Sequence, residues 1–290
     1  MTSAKGRWAL LVHGGAKQIE PGEEEANRAG CLEAVRAGME RLERGGSAVD
    51  AVEAAIRVLE ILPAFNAGYG SVRNAKGEVE TSAALMDGRN LDVGAVGALQ
   101  GVLHPVSVAR AMLREEPILL VGPGAYAFAR DHHIELCAPE ALIAPQSEGA
   151  HDTVGAVALD LNGNIAAGTS TGGLEGVDEG RIGDSPLPGG GFYADNHIGG
   201  VALSGHGEGI ARLAAAAQVM GAIERLGPQQ AIGGALDQMK RVGGDAGGIA
   251  IDRSGRVGWW HNSPHFAVAL ATSEEAQPRV WLHKEEVQSD

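Results

Sequence analysis

The sequence predicts a layered α/β fold, and three observations carry that expectation. Apolar residues are 44% of the 290 while aromatics are only 4%, so the core is built from Ala, Val, Leu and Ile. Segments of helical periodicity alternate with short strand-like runs along the chain, the pattern of sheets covered by helices. Glycine is abundant, with 44 residues and no Gly-x-y period, which excludes collagen and calls for many tight turns and close backbone approaches. A chain this long buries well over half of its unfolded surface, so disorder is excluded, and its size suits either one layered domain or two.

The first run, 8–12 (WALLV), reads as a buried strand that stops at His13-Gly14-Gly15. Over 23–44 the apolar positions Ala29, Leu32, Val35, Met39 and Leu42 recur at three and four, a helix that Gly45-Gly46 ends. Ser47 caps a second helix, with Asp50 as its capping-box partner and Pro63 as its stop. The loop FNAGYGS (65–71) leads to strands at 78–85 and 91–99, with Asp87-Gly88 as their turn. Pro105 opens a helix to about Glu115, 118–121 is a short strand, and 125–132 is a further turn or two of helix. Residues 138–152 (APEALIAPQSEGAHD) lose periodicity and gain Pro, Glu, Gly and Ser, the composition of an exposed linker. Beyond it, 153–159 and 165–171 are strands joined at Asn162-Gly163, a strong short-hairpin signal. Helices follow over about 208–226 and 228–242, then strands near 248–251, 257–261 and 266–271.

Lys plus Arg number 23 against 37 Asp plus Glu, a net charge of -14 that repels phosphate backbones and anionic lipid, so neither nucleic acid nor membrane is expected as a partner. Two cysteines, Cys31 and Cys137, make no disulfide framework, match no zinc spacing and suit a reducing compartment. The opening MTSAKGRWALLVHGG has too short an apolar run for a signal peptide, and no later run approaches ~18 apolar residues. A soluble, cytoplasmic protein is therefore expected. His132-His133 near Cys137 reads as a solvated helix end rather than a metal site, and the other histidines are scattered.

Register supplies the first functional hint. Centring the second hairpin on Asn162 places Thr153 opposite Thr171, and a two-residue loop would shift them by one and leave them neighbours. Two hydroxyls then meet at the open end of a hairpin, one directly after a linker open to cutting. Threonine is also simply a good strand residue, so spacing alone leaves both readings standing.

The residues around the pair tip the balance. HDTVGAVALDLNGNIAAGTSTGG (151–173), GRIGDSPLPGGGFYADN (180–196) and SGHGE (204–208) resemble the plant-type asparaginase and isoaspartyl aminopeptidase family of N-terminal nucleophile hydrolases. HGGA (13–16), FNAGYGSV (65–72) and MDG (86–88) fit the same family in the same order, so the resemblance spans nearly the whole chain. It implies a four-layer α-β-β-α sandwich: one hydrolase domain, 1–290, that cuts itself between Asp152 and Thr153 into fragments 1–152 and 153–290.

Carried over residue by residue, the resemblance makes Thr153 the nucleophile, hydrogen-bonded by Thr171 with Thr169 close by. It assigns Arg181 to the substrate α-carboxylate and Asp184 to the α-ammonium, roles that suit a planar guanidinium and a carboxylate. Gly205 offers an oxyanion-hole N–H, Gly207 a carbonyl for the ammonium, Ser204 a hydroxyl where the family usually has Thr, and Asn66 support for the nucleophile and its water. No cofactor is expected for catalysis. The carbonyls of Leu59, Glu60, Leu62, Phe65, Ala67 and Tyr69 match a loop that wraps a structural sodium ion in the family. The free α-amino group of Thr153, with a pKa near ~8, is the expected general base.

The expected substrates are asparagine and β-aspartyl dipeptides, between which the sequence does not choose, and the family suggests a homodimer of processed units. Two departures stand out: Asp152 precedes the nucleophile where most isoaspartyl-type members have Gly, and the linker is short. HDT is similar to glycosylasparaginases of the same superfamily, which keeps an N4-glycosyl-asparagine hydrolase as one alternative and an unprocessed, aspartate-binding scaffold as another. A metallohydrolase lacks any ligand pair at helical or hairpin spacing.

Overall fold

In the computed structural model, which describes residues 6–144, 153–284 and 286, strands rich in Ala, Val and Gly form two sheets. The chain runs β1 (Ala9–Lys17), α1 (Glu24–Glu43), α2 (Ala48–Ile61), β2 (Thr81–Asp87), β3 (Asp92–Leu99), α3 (Pro105–Met112), β4 (Leu119–Val121) and α4 (Gly122–Asp131). It continues with β5 (Thr153–Leu159), β6 (Ile165–Thr171), β7 (Phe192–Asp195), β8 (Gly199–Gly205), α5 (Gly207–Leu213), α6 (Ala215–Leu226), α7 (Pro228–Asp237), β9 (Ala246–Asp252), β10 (Val257–His261), β11 (His265–Thr272) and β12 (Arg279–Trp281). The larger sheet has the order β12-β11-β1-β5-β6-β2-β3-β4 and the smaller β10-β9-β8-β7.

Successive residues of β1 show why four layers result. Leu10 belongs to the cluster shared with α1 and α2, whereas Leu11 faces the second sheet, so both sides of the strand are buried and it reads as an unbroken apolar run. Full burial of each such leucine stabilises the fold by roughly 1.5–3 kcal/mol. Val157, Ile165, Phe192, Ala202 and Ile249 fill the space between the sheets. Val201, Leu203, Val219, Ile223, Ile232 and Leu236 join the smaller sheet to α6 and α7. The result is the α-β-β-α sandwich that the resemblance implied.

Local chemistry explains most element ends. The capping box forms in full: Asp50 N donates to Ser47 Oγ (3.1 Å) and Ser47 N to Asp50 Oδ2 (3.3 Å). β1 outlasts its expected stop, because the glycines after His13 are absorbed as an irregularity in the pairing with β11 and pairing resumes at Ala16. The turn between β2 and β3 takes four residues, 88–91, with Asp87 Oδ1 accepting from Arg89 N, and β2 begins at Thr81 rather than 78. The expected helix 208–226 is two helices, broken at Ala214, whose φ is +48°. Helices α3 and α7 end early, at Met112 and Asp237, the latter running into a 3-10 turn. β7, β8 and β12 were not anticipated.

The β5–β6 hairpin closes with Leu159 opposite Ile165, not at a two-residue turn. Asp160 organises the five-residue loop, its Oδ1 accepting from the N–H groups of Asn162 and Asn164, and Gly163 takes the left-handed φ of +82° that the turn needs. That loop centres on Asn162, so Thr153 pairs directly with Thr171. Of the linker, Pro139–Leu142 is a short 3-10 turn, and 145–152, including Asp152, lie outside the described residues.

Candidate active site

Thr153 opens β5, nearly fully buried, at the end of the hairpin where β8 of the other sheet crosses. Its Oγ lies 3.0 Å from Ser185 Oγ, and its N–H donates to Ser204 Oγ at 3.1 Å. Thr169, opposite Gly155, donates its hydroxyl to the Ser185 carbonyl at 2.7 Å, so β6 holds the residue that touches Thr153. Thr171 lies across from Thr153, its hydroxyl accepting from Gly173 N at 3.2 Å. Ser204 accepts a second N–H, from Ala16 at 3.1 Å, and so ties the end of β1 and the start of β5 to β8. Its Oγ acts here as the acceptor of two backbone N–H groups.

Ser185 escaped the sequence reading although the motif GRIGDSP contained it. The signal was its place directly after Asp184, since a turn that aims a carboxylate into a site brings its neighbour there as well.

Asp184 is fully buried, and its Oδ2 finds no hydrogen-bond partner among the described residues. Burial pushes its pKa up to about 7, outweighing the backbone N–H groups of Asp184 and Ser185 and the charge of Arg181, which pull it down. Arg181 lies alongside: a Cβ on Gly207 would stand 2.8 Å from Asp184 Oδ1 and 3.0 Å from Arg181 Nη2. Glycine at 207 therefore lets the chain pass close over both charged groups. Gly205 ends β8, directly after Ser204. An orphaned acidic oxygen lies beside a guanidinium, one residue from a hydroxyl in contact with Thr153, and this pairing suits the chemistry of an ammonium next to a carboxylate.

Asn66 supports the site from behind. Its Nδ2 donates to Gly173 O (2.7 Å), its Oδ1 accepts from Val72 N (3.2 Å) and its carbonyl from Gly172 N (2.8 Å), which stitches the loop to the end of β6 just past Thr171. The same loop draws carbonyls together: a Cβ on Gly68 would sit 2.3 Å from Glu60 O, and one on Gly70 2.4 Å from Phe65 O. The carbonyls of Leu59, Glu60, Leu62 and Phe65 each accept a backbone N–H, and each keeps a second lone pair. Oxygen-only donors at this spacing fit a hard monovalent cation.

Glu60, noted in the sequence for its carbonyl, has a further part. Its fully buried carboxylate accepts from Ser170 Oγ (2.7 Å) and Val106 N (2.9 Å) and faces His104 Nδ1 at 3.1 Å. Ser170 stands between Thr169 and Thr171 and points to the helix side, so this carboxylate holds β6 against α2 and α3.

His13, opposite Gly155 on β1, is fully buried and stacked on Phe266, with ring centroids 5.3 Å apart. Burial drives its pKa to about 3, against a smaller pull from the Thr153 backbone, so the ring is neutral at any working pH. The histidines are less scattered than expected, since Glu24, His265 and His283 each place one ligand atom within 4.8 Å of the others. Nδ1 of His265 already accepts from Ile19 N at 3.0 Å, which leaves the proton of the neutral ring on Nε2. His132 is exposed and stacks on Phe128, as a solvated helix end should.

Comparison with known proteins agrees with this geometry. The sequence profile of the asparaginase family matches residues 6–150 and 138–280. A zebrafish (Danio rerio) protein named isoaspartyl peptidase/L-asparaginase is 42% identical over 267 residues, covering 85% of this chain and 86% of its own. The rat (Rattus norvegicus) protein of that name is 42% identical over 268 residues, covering 85% and 80%. The human (Homo sapiens) one is 40% identical over 284 residues, covering 90% and 92%.

Proposed function

This chain belongs to the asparaginase family and is a hydrolase, and from that premise we propose that it cuts itself before Thr153 and then hydrolyses the side-chain amide of L-asparagine and the isopeptide bond of β-aspartyl dipeptides. In self-cleavage Thr153 Oγ adds to the Asp152 carbonyl, the 152–153 C–N bond breaks, and the hydroxyl proton passes to nitrogen, which leaves an ester. That shift frees the α-amine, and water then hydrolyses the ester, restoring the Thr153 hydroxyl and releasing the Asp152 carboxylate.

In turnover the amine accepts the Thr153 hydroxyl proton as Oγ attacks the substrate β-carbonyl. Ser204 Oγ, already on this nitrogen, orients its lone pair toward the hydroxyl. The Gly205 N–H faces the developing oxyanion. Collapse returns the proton to the leaving nitrogen, ammonia or a peptide amine departs, and water frees aspartate from the β-aspartyl ester. Arg181 and Asp184 grip the α-carboxylate and α-ammonium throughout. A structural sodium ion would be held by the second lone pairs of the carbonyls of Leu59, Glu60, Leu62 and Phe65, with those of Ala67 and Tyr69; it supplies rigidity to the loop that carries Asn66 and no chemistry.

The observation that carries this reading is the orphaned Asp184 Oδ2, one residue from the hydroxyl that touches Thr153. The reading includes a cytoplasmic protein that works as a dimer of processed units; among the described residues no helix is long and apolar enough to cross a membrane. Intact mass after incubation near neutral pH tests it, since cleavage converts 29.8 kDa into fragments of about 16 and about 14 kDa with Thr153 at the new N-terminus. A Thr153→Ala chain should stay whole and inert; cleavage of that variant would overturn the mechanism.

A further inference from the structure

Arg181 is engaged within the protein itself. Its Nε donates to Oε1 of Glu208, the second residue of α5, at 2.9 Å, and its Nη2 is ion-paired with the same oxygen at 2.8 Å. The guanidinium lies flat between two glycines: a Cβ on Gly183 would meet Nη1 at 2.9 Å, and one on Gly207 would meet Nη2 at 3.0 Å. One edge of the fork is thus committed to the protein's own carboxylate, which fixes the plane of the group and leaves Nη1 for an incoming carboxylate. The Arg181 side chain is 17% exposed and that of Glu208 48%, so Glu208 sits at the mouth and Arg181 further in.

The charges then add in a telling way. Arg181 is positive while Glu208 and the ionised Asp184 are negative, so the three side chains together carry one net negative charge. An amino-acid end brings an ammonium to Asp184 and a carboxylate to Arg181 and changes that total by nothing. A ligand with the carboxylate but no ammonium adds a second negative charge and leaves buried Asp184 uncompensated.

We propose that Glu208 is a specificity-determining residue, which cancels the surplus positive charge of Arg181 and thereby confines the site to substrates with an α-ammonium beside the α-carboxylate. The inference rests on the assignment of Arg181 and Asp184 made under the proposed function. Arg181 alone, with Asp184 protonated, would welcome any small dicarboxylate or carboxy-amide. With Glu208 present, the ammonium becomes a condition of tight binding.

The test compares ligand pairs that differ only in that ammonium. Calorimetry gives the Kd ratio of succinate to L-aspartate, and kinetics gives the kcat/KM ratio of L-asparagine to succinamate, both at pH 8 on processed wild-type protein, Glu208→Gln and Glu208→Asp. Glu208→Gln should lower both ratios fivefold to tenfold, the size expected for removing one half-exposed unit charge about 4 Å away that solvent screens nearly as bulk water does, while Glu208→Asp keeps them near wild type. A purely structural role would change kcat for both substrates alike and leave the ratios alone; unchanged ratios in Glu208→Gln, or equal shifts in Glu208→Asp, would overturn the proposal. Binding separates the two levels of inference: a wild type that prefers L-aspartate through Glu208 but turns over no amide refutes the proposed activity and leaves the role of Glu208 standing.

Discussion

Asp184 should write its ionisation into both the activity and the stability of the enzyme. Its pKa is raised from 3.8 to about 7 by burial, and a shift of that size corresponds to at most about 4 kcal/mol of unfavourable charging in the empty site. The sign follows from which state gives up the proton first. The unfolded chain releases it near 3.8 and the folded chain only near 7, so the contribution to stability is fully present below the lower value, falls as pH rises between the two, and stays lost above about 7. Activity runs the other way, because only the carboxylate grips an ammonium.

Two groups therefore shape the acid limb of kcat/KM for L-asparagine: Asp184 and the Thr153 amine with a pKa near ~8. Ammonia release between pH 5 and 9 should steepen toward hundredfold per pH unit below about 7. Asp184→Asn should lose at least 10²-fold in kcat/KM and retain only the amine's tenfold-per-unit limb. On an uncut Thr153→Ala background, where melting concerns one chain, Asp184→Asn should be more stable at pH 8 by about 1–3 kcal/mol, the charging cost less that of a poorly partnered buried amide, and should lose this advantage at pH 4. An acid limb of equal slope in the two enzymes, or a stability difference independent of pH, would refute the reasoning.

Three further substitutions probe the supports. Gly155→Ala places a Cβ 2.4 Å from His13 Nε2 and 3.0 Å from Ala202 Cβ, and should cost about 1–3 kcal/mol in thermal melts and slow cleavage by displacing the start of β5. Ser204→Ala strips the acceptor from two buried N–H groups, Ala16 and Thr153, at about 1–3 kcal/mol each; time-resolved mass spectrometry should show cleavage at least tenfold slower, with Ser204→Thr close to wild type. Ser47→Ala removes half of the capping box far from the chemistry and should cost about 1 kcal/mol, read as a melting point lower by roughly 2–4 °C with kcat unchanged.

What the sequence made legible and what it hid divide along a physical line. The capped start of α2, both strands of the Thr153 hairpin and the pairing of Thr153 with Thr171 depend on near neighbours, and each was readable from a cap, a turn or a register. β7 and β8 were not, because a four-residue strand has no room for a period and GGVALSG looks like loop where glycine serves packing instead. A Cβ on Gly200 would meet Val157 and Ile165 of the other sheet at 2.8 and 2.9 Å, so the strand is glycine-rich in order that two aromatic-poor sheets can close on each other. The same closeness assembles the site: Ser204 from β8 reaches Thr153 at 3.1 Å only because nothing larger separates the layers. Roles that rest on such long-range contacts, Glu60 behind β6 and Glu208 on Arg181, have no local signature to read, and for Ser185 against Thr153 the one hint was its place after Asp184. Ser185 and Glu208 were visible in the motifs, but their partners were set by how the glycines let the two sheets meet.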